Sequence, residues 1–76
     1  MRILGIDPGY AIVGYGVVDY QAGRFAPVEY GAITTPAHTL FEERLVTVYE
    51  EMKELLSRTR PQALAIETLL DRKSVV

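Results

Sequence analysis

The chain has 76 residues, of which 49% are hydrophobic and 24% charged, with no cysteine and a formal net charge of −2. A chain of this length forms one small domain at most, the lack of cysteine excludes disulfides and thiolate metal sites, and the net charge gives no support to nucleic-acid binding. Since there is neither a signal-peptide pattern nor an apolar run of the roughly 20 residues that a membrane span needs, we expect a cytoplasmic protein.

Three strands are predicted in the first half of the chain, over residues 2–7, 12–20 and 24–35. Pro8-Gly9 ends the first strand, and Gln21-Ala22-Gly23 is a turn signal between the second and the third. Proline cannot donate to a β-ladder, so Pro27 predicts an edge strand or a bulge in the third strand. Short strands joined by tight turns indicate an antiparallel meander.

A helix is predicted after the third strand. Thr39 and Glu42 match a capping box, with Thr39 as the N-cap. Arg58 suits the C-terminal end of the helix, and Pro61 ends it. Apolar residues recur along one helical face, at Phe41, Leu45, Val48, Tyr49, Met52, Leu55 and Leu56.

A last apolar run, residues 63–67, predicts a strand that returns parallel to an earlier one by the usual crossover. The order is therefore β-β-β-α-β, an α/β fold. One helix covers only one face of a sheet, whereas a largely buried sheet usually has cover on both faces. The sequence thus predicts the N-terminal part of a larger domain, or a subunit covered by a partner.

Two carboxylates occupy matching places, because Asp7 and Glu67 each end an apolar strand. Side chains alternate along a strand, so Asp7 shares a face with Gly5, and Glu67 shares a face with Ala65. If the first and last strands pair in parallel, both acids lie near the strand carboxyl ends, where open α/β sheets place their sites. Hard oxygen ligands suit Mg²⁺ or Mn²⁺, and two such ions can stabilise the attacking and leaving oxygens in phosphodiester hydrolysis.

Each acid also has an ordinary structural explanation. An aspartate before Pro-Gly is most often a turn residue, and a glutamate at a strand end is most often solvated. The pattern therefore leaves a metal site and a structural role both open. Among the other polar and aromatic residues, we expect His38 to lie on the surface and the strand tyrosines to serve packing, although tyrosine can stack on bases.

The opening stretch MRILGIDPGYAIVGYGVVDY resembles the start of RuvC-type Holliday-junction resolvases. The likeness continues in the same order through YGAITTP, LFEERLVTVYEEMKELLSRTRP and ALAIE, and covers about residues 1–67. It implies an RNase H-like fold, with residues 1–76 as the N-terminal part of a single nuclease domain and no second domain. Asp7 matches the family's first catalytic, metal-binding aspartate, and Glu67 matches the glutamate at the end of its fourth strand.

The resemblance also implies an activity and partners. The activity would be Mg²⁺-dependent cleavage of four-way DNA junctions in recombination and repair, with Mn²⁺ as a possible substitute. The enzyme would be a homodimer that nicks the junction symmetrically. It would work with the RuvA–RuvB branch-migration complex, and no membrane would be involved.

The chain departs from the family pattern after Glu67. The family site has four acidic positions, the last sometimes histidine, and the other two lie downstream of Val76. Family members usually follow the glutamate with an aromatic residue and an asparagine, where this sequence has Leu70 and Ser74. We therefore expect the isolated chain to be inactive. The alternatives are a different RNase H-like protein (a RuvX-type nuclease, or an actin-like or sugar-kinase ATPase domain) and a folded module without catalytic activity.

Overall fold

The computed structural model describes residues 1–9 and 12–66. Its elements follow in the order β1 (Arg2–Pro8), β2 (Ile12–Gln21), β3 (Arg24–Thr34), α1 (Phe41–Thr59) and β4 (Ala63–Ile66). The predicted β-β-β-α-β order is confirmed, and the three strands of the first half begin and end within one residue of the predicted bounds. No helix in the described part of the chain is long and apolar enough to cross a membrane.

The four described strands form one mixed sheet in the order β3-β2-β1-β4. β1 pairs antiparallel with β2, and β2 pairs antiparallel with β3, which confirms the predicted meander. β4 pairs in parallel with β1, so that Ile3 lies opposite Ala63 and Ile6 lies opposite Ile66. α1 supplies the crossover that parallel neighbours require.

Pro27 lies at an irregularity of the outer strand β3. Val17 of β2 lies opposite Glu29, whereas the next residue, Val18, lies opposite Pro27, so Val28 is the extra residue of a bulge. β3 is also an edge of the sheet among the described strands. Both arrangements that the sequence predicted for Pro27 are therefore present, and neither requires proline to donate to a central ladder.

The β2–β3 hairpin closes through Ala22 and Gly23. Both residues have positive φ, 54° and 77° respectively. Positive φ at both central residues is typical of the type I′ turn, whose twist matches that of the flanking strands. The predicted turn is confirmed, and Gly23 supplies one of the two left-handed positions without steric cost.

The capping-box prediction for α1 is wrong. The N-cap is Leu40, in extended geometry, and no side chain forms a capping hydrogen bond there. The hydroxyl of Thr39 instead donates to the carbonyl oxygen of Pro36, at 2.6 Å. Threonine side chains readily form such local bonds to the backbone, and here that bond replaces the cap.

The C-terminal end of α1 follows the prediction. Arg60 adopts the left-handed C-cap conformation, with φ 50° and ψ 60°, and its backbone N–H donates to the carbonyl oxygen of Leu56. Pro61 follows directly and has no N–H with which to continue the helix.

The core lies between α1 and one face of the sheet. Leu4, Val17 and Leu55 form a cluster in which no residue is more than 2% exposed, and Ile6, Tyr15 and Met52 pack against it. The predicted apolar face of α1 is only partly buried, because Phe41, Leu45 and Tyr49 remain more than half exposed. Among the described residues, α1 therefore packs on the sheet mainly through its C-terminal half.

Candidate functional site

Asp7 is a strand residue. Its backbone pairs with that of Gly14 within the β1–β2 ladder, and its side chain is exposed. Pro8 still belongs to β1, where it lies opposite Val13. A residue before proline is biased toward extended geometry, which is why Asp7 stays in the strand. The interpretation of Asp7 as a turn residue is therefore wrong.

Gly9 closes the chain back onto β2 directly after Asp7-Pro8. Its backbone N–H donates to the carbonyl oxygen of Ile12, at 2.8 Å. A Cβ atom at Gly9 would lie 2.5 Å from that same oxygen, which is closer than a real Cβ approaches. The aspartate is thus held at the end of a paired strand. Only glycine fits at position 9, because the chain returns so closely to Ile12 there.

Small residues surround Asp7 on its face of the sheet. Gly5 lies opposite Gly16 of β2 and opposite Ala65 of β4, and Gly14 lies opposite Asp7 itself. The helix packs on the other face, which carries Leu4 and Val17. The small-residue face that strand alternation predicted beside Asp7 is therefore present.

The surface around these residues is concave, with a volume of about 590 Å³. It is lined by Gly5, Ile6, Asp7, Gly14, Tyr15, Gly16, Gly31, Ala65 and Ile66. A Cβ atom added at Gly16 would meet no heavy atom within 4 Å, and at Gly5 or Gly14 the nearest atom would be 3.8 Å away. Within the described part of the chain, this face thus has free space beside an exposed carboxylate.

Glu67 lies outside the described residues, so its predicted approach to Asp7 stays a prediction. Leu70 and Ser74, where the sequence departs from the family pattern, lie outside them as well. Ile6 and Ile66 form the last described pair of β1 and β4, and each directly precedes one of the two acids in sequence. Residues 1–9 and 12–66 contain no group of three or more histidine, cysteine, aspartate or glutamate residues that could hold a metal ion.

Sequence analysis missed a polar network on the helix-facing side of the sheet. The hydroxyl of Tyr15 donates to Oε2 of Glu29 at 2.8 Å, and Nη1 of Arg58 donates to Oε1 of the same carboxylate. Nε of Arg58 also donates to Oε1 of Glu54, at 3.1 Å. These bonds connect α1 with β2 and β3, and the half-buried Tyr15 packs against the core as expected.

This network shifts the protonation equilibria of its members. The hydrogen bonds from Arg58 and Tyr15 lower the pKa of the Glu29 carboxyl, because they favour its charged form. The bond to Glu29 in turn raises the pKa of the Tyr15 hydroxyl. Both effects keep Glu29 ionised and Tyr15 protonated, which are the forms that the network needs.

A second ion pair joins β1, β2 and the end of α1. Nε and Nη2 of Arg2 donate to the two carboxylate oxygens of Asp19, at 2.8 and 3.1 Å, and Nη1 donates to the carbonyl oxygen of Thr59, at 3.0 Å. The bond from Arg2 lowers the pKa of Asp19. Arg2 lies near the start of β1 and Asp19 near the end of β2, opposite each other in the hairpin. Their opposite charges would have predicted this pair once a register for the hairpin was assumed. No comparable signal linked Glu29 with Arg58.

Other singled-out residues lie away from Asp7 or on the surface. His38 is exposed, as expected, and has a left-handed backbone with φ 65°. Tyr30 is 85% exposed, and the ring of Tyr20 lies 4.7 Å from that of Phe25. Tyr20 thus takes part in side-chain packing, whereas Tyr30 projects into solvent.

A family model described as "Crossover junction endodeoxyribonuclease RuvC" matches residues 3–76. The chain belongs to the RuvC family. This match favours the RuvC interpretation over a RuvX-type nuclease or an ATPase domain. It also extends through the last residue of the chain, past residue 67 where the resemblance in the sequence was expected to end.

Curated relatives agree with the RuvC assignment. A crossover junction endodeoxyribonuclease RuvC from Ruminiclostridium cellulolyticum is 47% identical over 75 residues, covering 99% of this chain and 45% of the relative. Its counterpart from Brevibacillus brevis is 48% identical over 75 residues, with the same coverage of both chains. The chain therefore spans about half the length of the curated relatives it matches.

Solved structures show the same fold. A Thermus thermophilus RuvC structure superposes with a TM-score of 0.79 at 30% identity, covering 92% of this chain and 46% of that one. T. thermophilus RuvC in complex with a Holliday junction substrate gives a TM-score of 0.80 at 32% identity, covering 90% and 42%. These likenesses confirm the predicted RNase H-like fold. A Ppx/GppA family member from Aquifex aeolicus superposes with a TM-score of 0.66 at 20% identity, covering 87% of this chain and 25% of that one. This likeness shows the fold alone.

Proposed function

We propose that this chain is the N-terminal part of a single RNase H-like nuclease domain that resolves Holliday junctions by metal-dependent phosphodiester hydrolysis. The observation that carries the proposal is the place of Asp7. It lies exposed at the carboxyl end of a paired central strand, beside an open surface of small residues, in a chain of the RuvC family. The T. thermophilus relative described in complex with a Holliday junction substrate supports the substrate class.

Asp7 and Glu67 are the residues that we propose as catalytic metal ligands, for Mg²⁺ or alternatively Mn²⁺. The described surroundings of Asp7 fit such an ion, since a carboxylate supplies hard oxygen ligands and Gly5, Gly14 and Gly16 leave room for the waters that Mg²⁺ retains. When bound, the metal would stabilise negative charge on the attacking and leaving oxygens of the phosphate.

The described geometry supports the role of Asp7 in this proposal in two ways. The position of Asp7 in the β1–β2 ladder fixes its backbone and places its side chain on the open face of the sheet. The small residues next to it let a phosphate approach without displacing side chains. Two acids are fewer than the four positions that the family resemblance implies, so we expect the isolated chain not to cleave DNA.

The remaining parts of the proposal come from the family resemblance. They are a homodimer that cuts a four-way junction symmetrically, cooperation with the RuvA–RuvB branch-migration complex, and a role in DNA recombination and repair in the cytoplasm. No membrane takes part in these steps.

The metal-site proposal is tested by titrating the ¹⁵N-labelled chain with Mn²⁺, whose unpaired electrons broaden nearby NMR signals. We expect broadening centred on the amides of Gly5, Gly14 and Gly16. Asp7→Asn or Glu67→Gln removes a direct ligand and should weaken the apparent affinity about tenfold or more, as even outer-shell changes do at metal sites. Glu51→Gln, on the exposed surface of α1, is the matched control and should leave the titration unchanged. Equal broadening in wild type and Asp7→Asn would contradict the assignment of Asp7.

The expected inactivity of the isolated chain has a separate test. Synthetic four-way junctions are incubated with the chain and Mg²⁺, and the products are separated on denaturing gels. We expect no cleavage above the level of Asp7→Asn. Symmetric cleavage by the wild type that Asp7→Asn abolishes would instead show that the isolated chain holds a working site, and our expectation of inactivity would be wrong.

A further inference from the structure

We draw no further inference here: the strongest candidate, the aromatic patch that Tyr20, Phe25 and the exposed Tyr30 form on the same face of the sheet as Asp7, is an unpartnered apolar face, and nothing in the structure shows what covers it.

Discussion

Gly31 is a glycine because the ring of Tyr15 occupies the space next to it. A Cβ atom at Gly31 would lie 2.8 Å from the hydroxyl oxygen of Tyr15 and 3.0 Å from its Cζ. We expect Gly31→Ala to displace the Tyr15 ring and break its hydrogen bond to Glu29, since crowding of this kind moves side chains out of their packed positions. The free energy of unfolding should fall by about 1–3 kcal/mol. Urea denaturation followed by circular dichroism measures the change.

Gly16→Ala is the matched control for Gly31→Ala. It lies one strand closer to the centre of the sheet, and a Cβ atom there would meet no heavy atom within 4 Å. Alanine also restricts the unfolded chain, so we expect this variant to be neutral or more stable by up to about 1 kcal/mol. An equal loss of stability in both variants would contradict the role that we assign to Tyr15.

Glu29 makes the stability of the fold depend on pH. Arg58 and Tyr15 lower the pKa of its carboxyl below the ordinary value of 4.5, so the charged form is favoured in the folded chain. A carboxyl with a lowered pKa stabilises the fold above its unfolded pKa, and this contribution is lost as pH falls through the folded pKa. We expect Glu29→Gln to unfold at lower urea than the wild type at about pH 7, and the difference to shrink below about pH 4.

Urea midpoints measured at about pH 7 and below about pH 4 test this dependence. Glu51→Gln, which changes an exposed helix carboxylate outside the network, should show little difference from the wild type at about pH 7. If Glu29→Gln lowered the midpoint equally at both pH values, the effect would come from packing, and the charge of Glu29 would have no part in it.

At the scale of elements, the strands and their pairing were predictable from the sequence, whereas the side-chain contacts between the helix and the sheet were not. Apolar runs and Pro or Gly stops are local features, so they predicted β1, β2 and β3 almost to the residue. The Glu29–Arg58 ion pair joins residues 29 positions apart, and it depends on the bulge at Val28 and on where α1 crosses the sheet. Neither is visible in a local pattern.

At the candidate site, one part of the prediction is confirmed and another is not tested. Strand alternation predicted that Asp7 shares its face with Gly5, and the pairing of β1 with β2 and β4 confirms a small-residue face there. The capping box failed because the same threonine can bond to a helix N–H or to its own loop, and the loop geometry around Pro36 decides between them. The meeting of Asp7 with Glu67 stays a prediction.

The start of α1 offers a stabilising substitution. Leu40 is the N-cap, has extended backbone geometry and is 64% exposed, so its side chain contributes little to the core. In Leu40→Ser the hydroxyl can accept a hydrogen bond from a backbone N–H of the first turn, which should raise the free energy of unfolding by about 0.5–2 kcal/mol. Thermal and urea denaturation measure the gain.

Thr39→Ala is the comparison that separates the two possible caps. It removes the bond to Pro36 without touching the N-cap position, so we expect a loss of no more than about 1 kcal/mol. An unchanged stability in Leu40→Ser, together with a larger loss in Thr39→Ala, would favour Thr39 as the functional cap and contradict the observed helix start.

At the scale of the whole molecule, the described chain is a thin, two-layer structure. Its principal extents are 45 × 35 × 15 Å, with one helix on one face of the sheet. On the Asp7 face, no second layer is present among the residues that the structure describes. The chain also spans about half the length of the curated relatives it matches. These observations support the proposal that the chain is part of a longer nuclease domain.

So small a core makes the fold depend on single side chains. Leu55 is 2% exposed in the cluster with Leu4 and Val17, whereas Leu45, ten residues earlier on the same helix, is 56% exposed. Truncating a buried leucine to alanine costs about 2–5 kcal/mol. A chain of 76 residues has roughly 4–11 kcal/mol of total stability. We therefore expect Leu55→Ala to remove a large part of the stability, and Leu45→Ala to cost less than about 1 kcal/mol.

Urea midpoints of the two leucine variants, measured by circular dichroism at the same protein concentration, test this account of the core. Both substitutions remove the same atoms from the same helix, so a difference in helix propensity cannot explain a difference between them. A cost for Leu45→Ala as large as that for Leu55→Ala would mean that the N-terminal half of α1 is buried against something other than residues 1–9 and 12–66. The two-layer description would then be wrong for the protein in solution, because the exposed stripe of α1 would already have a partner.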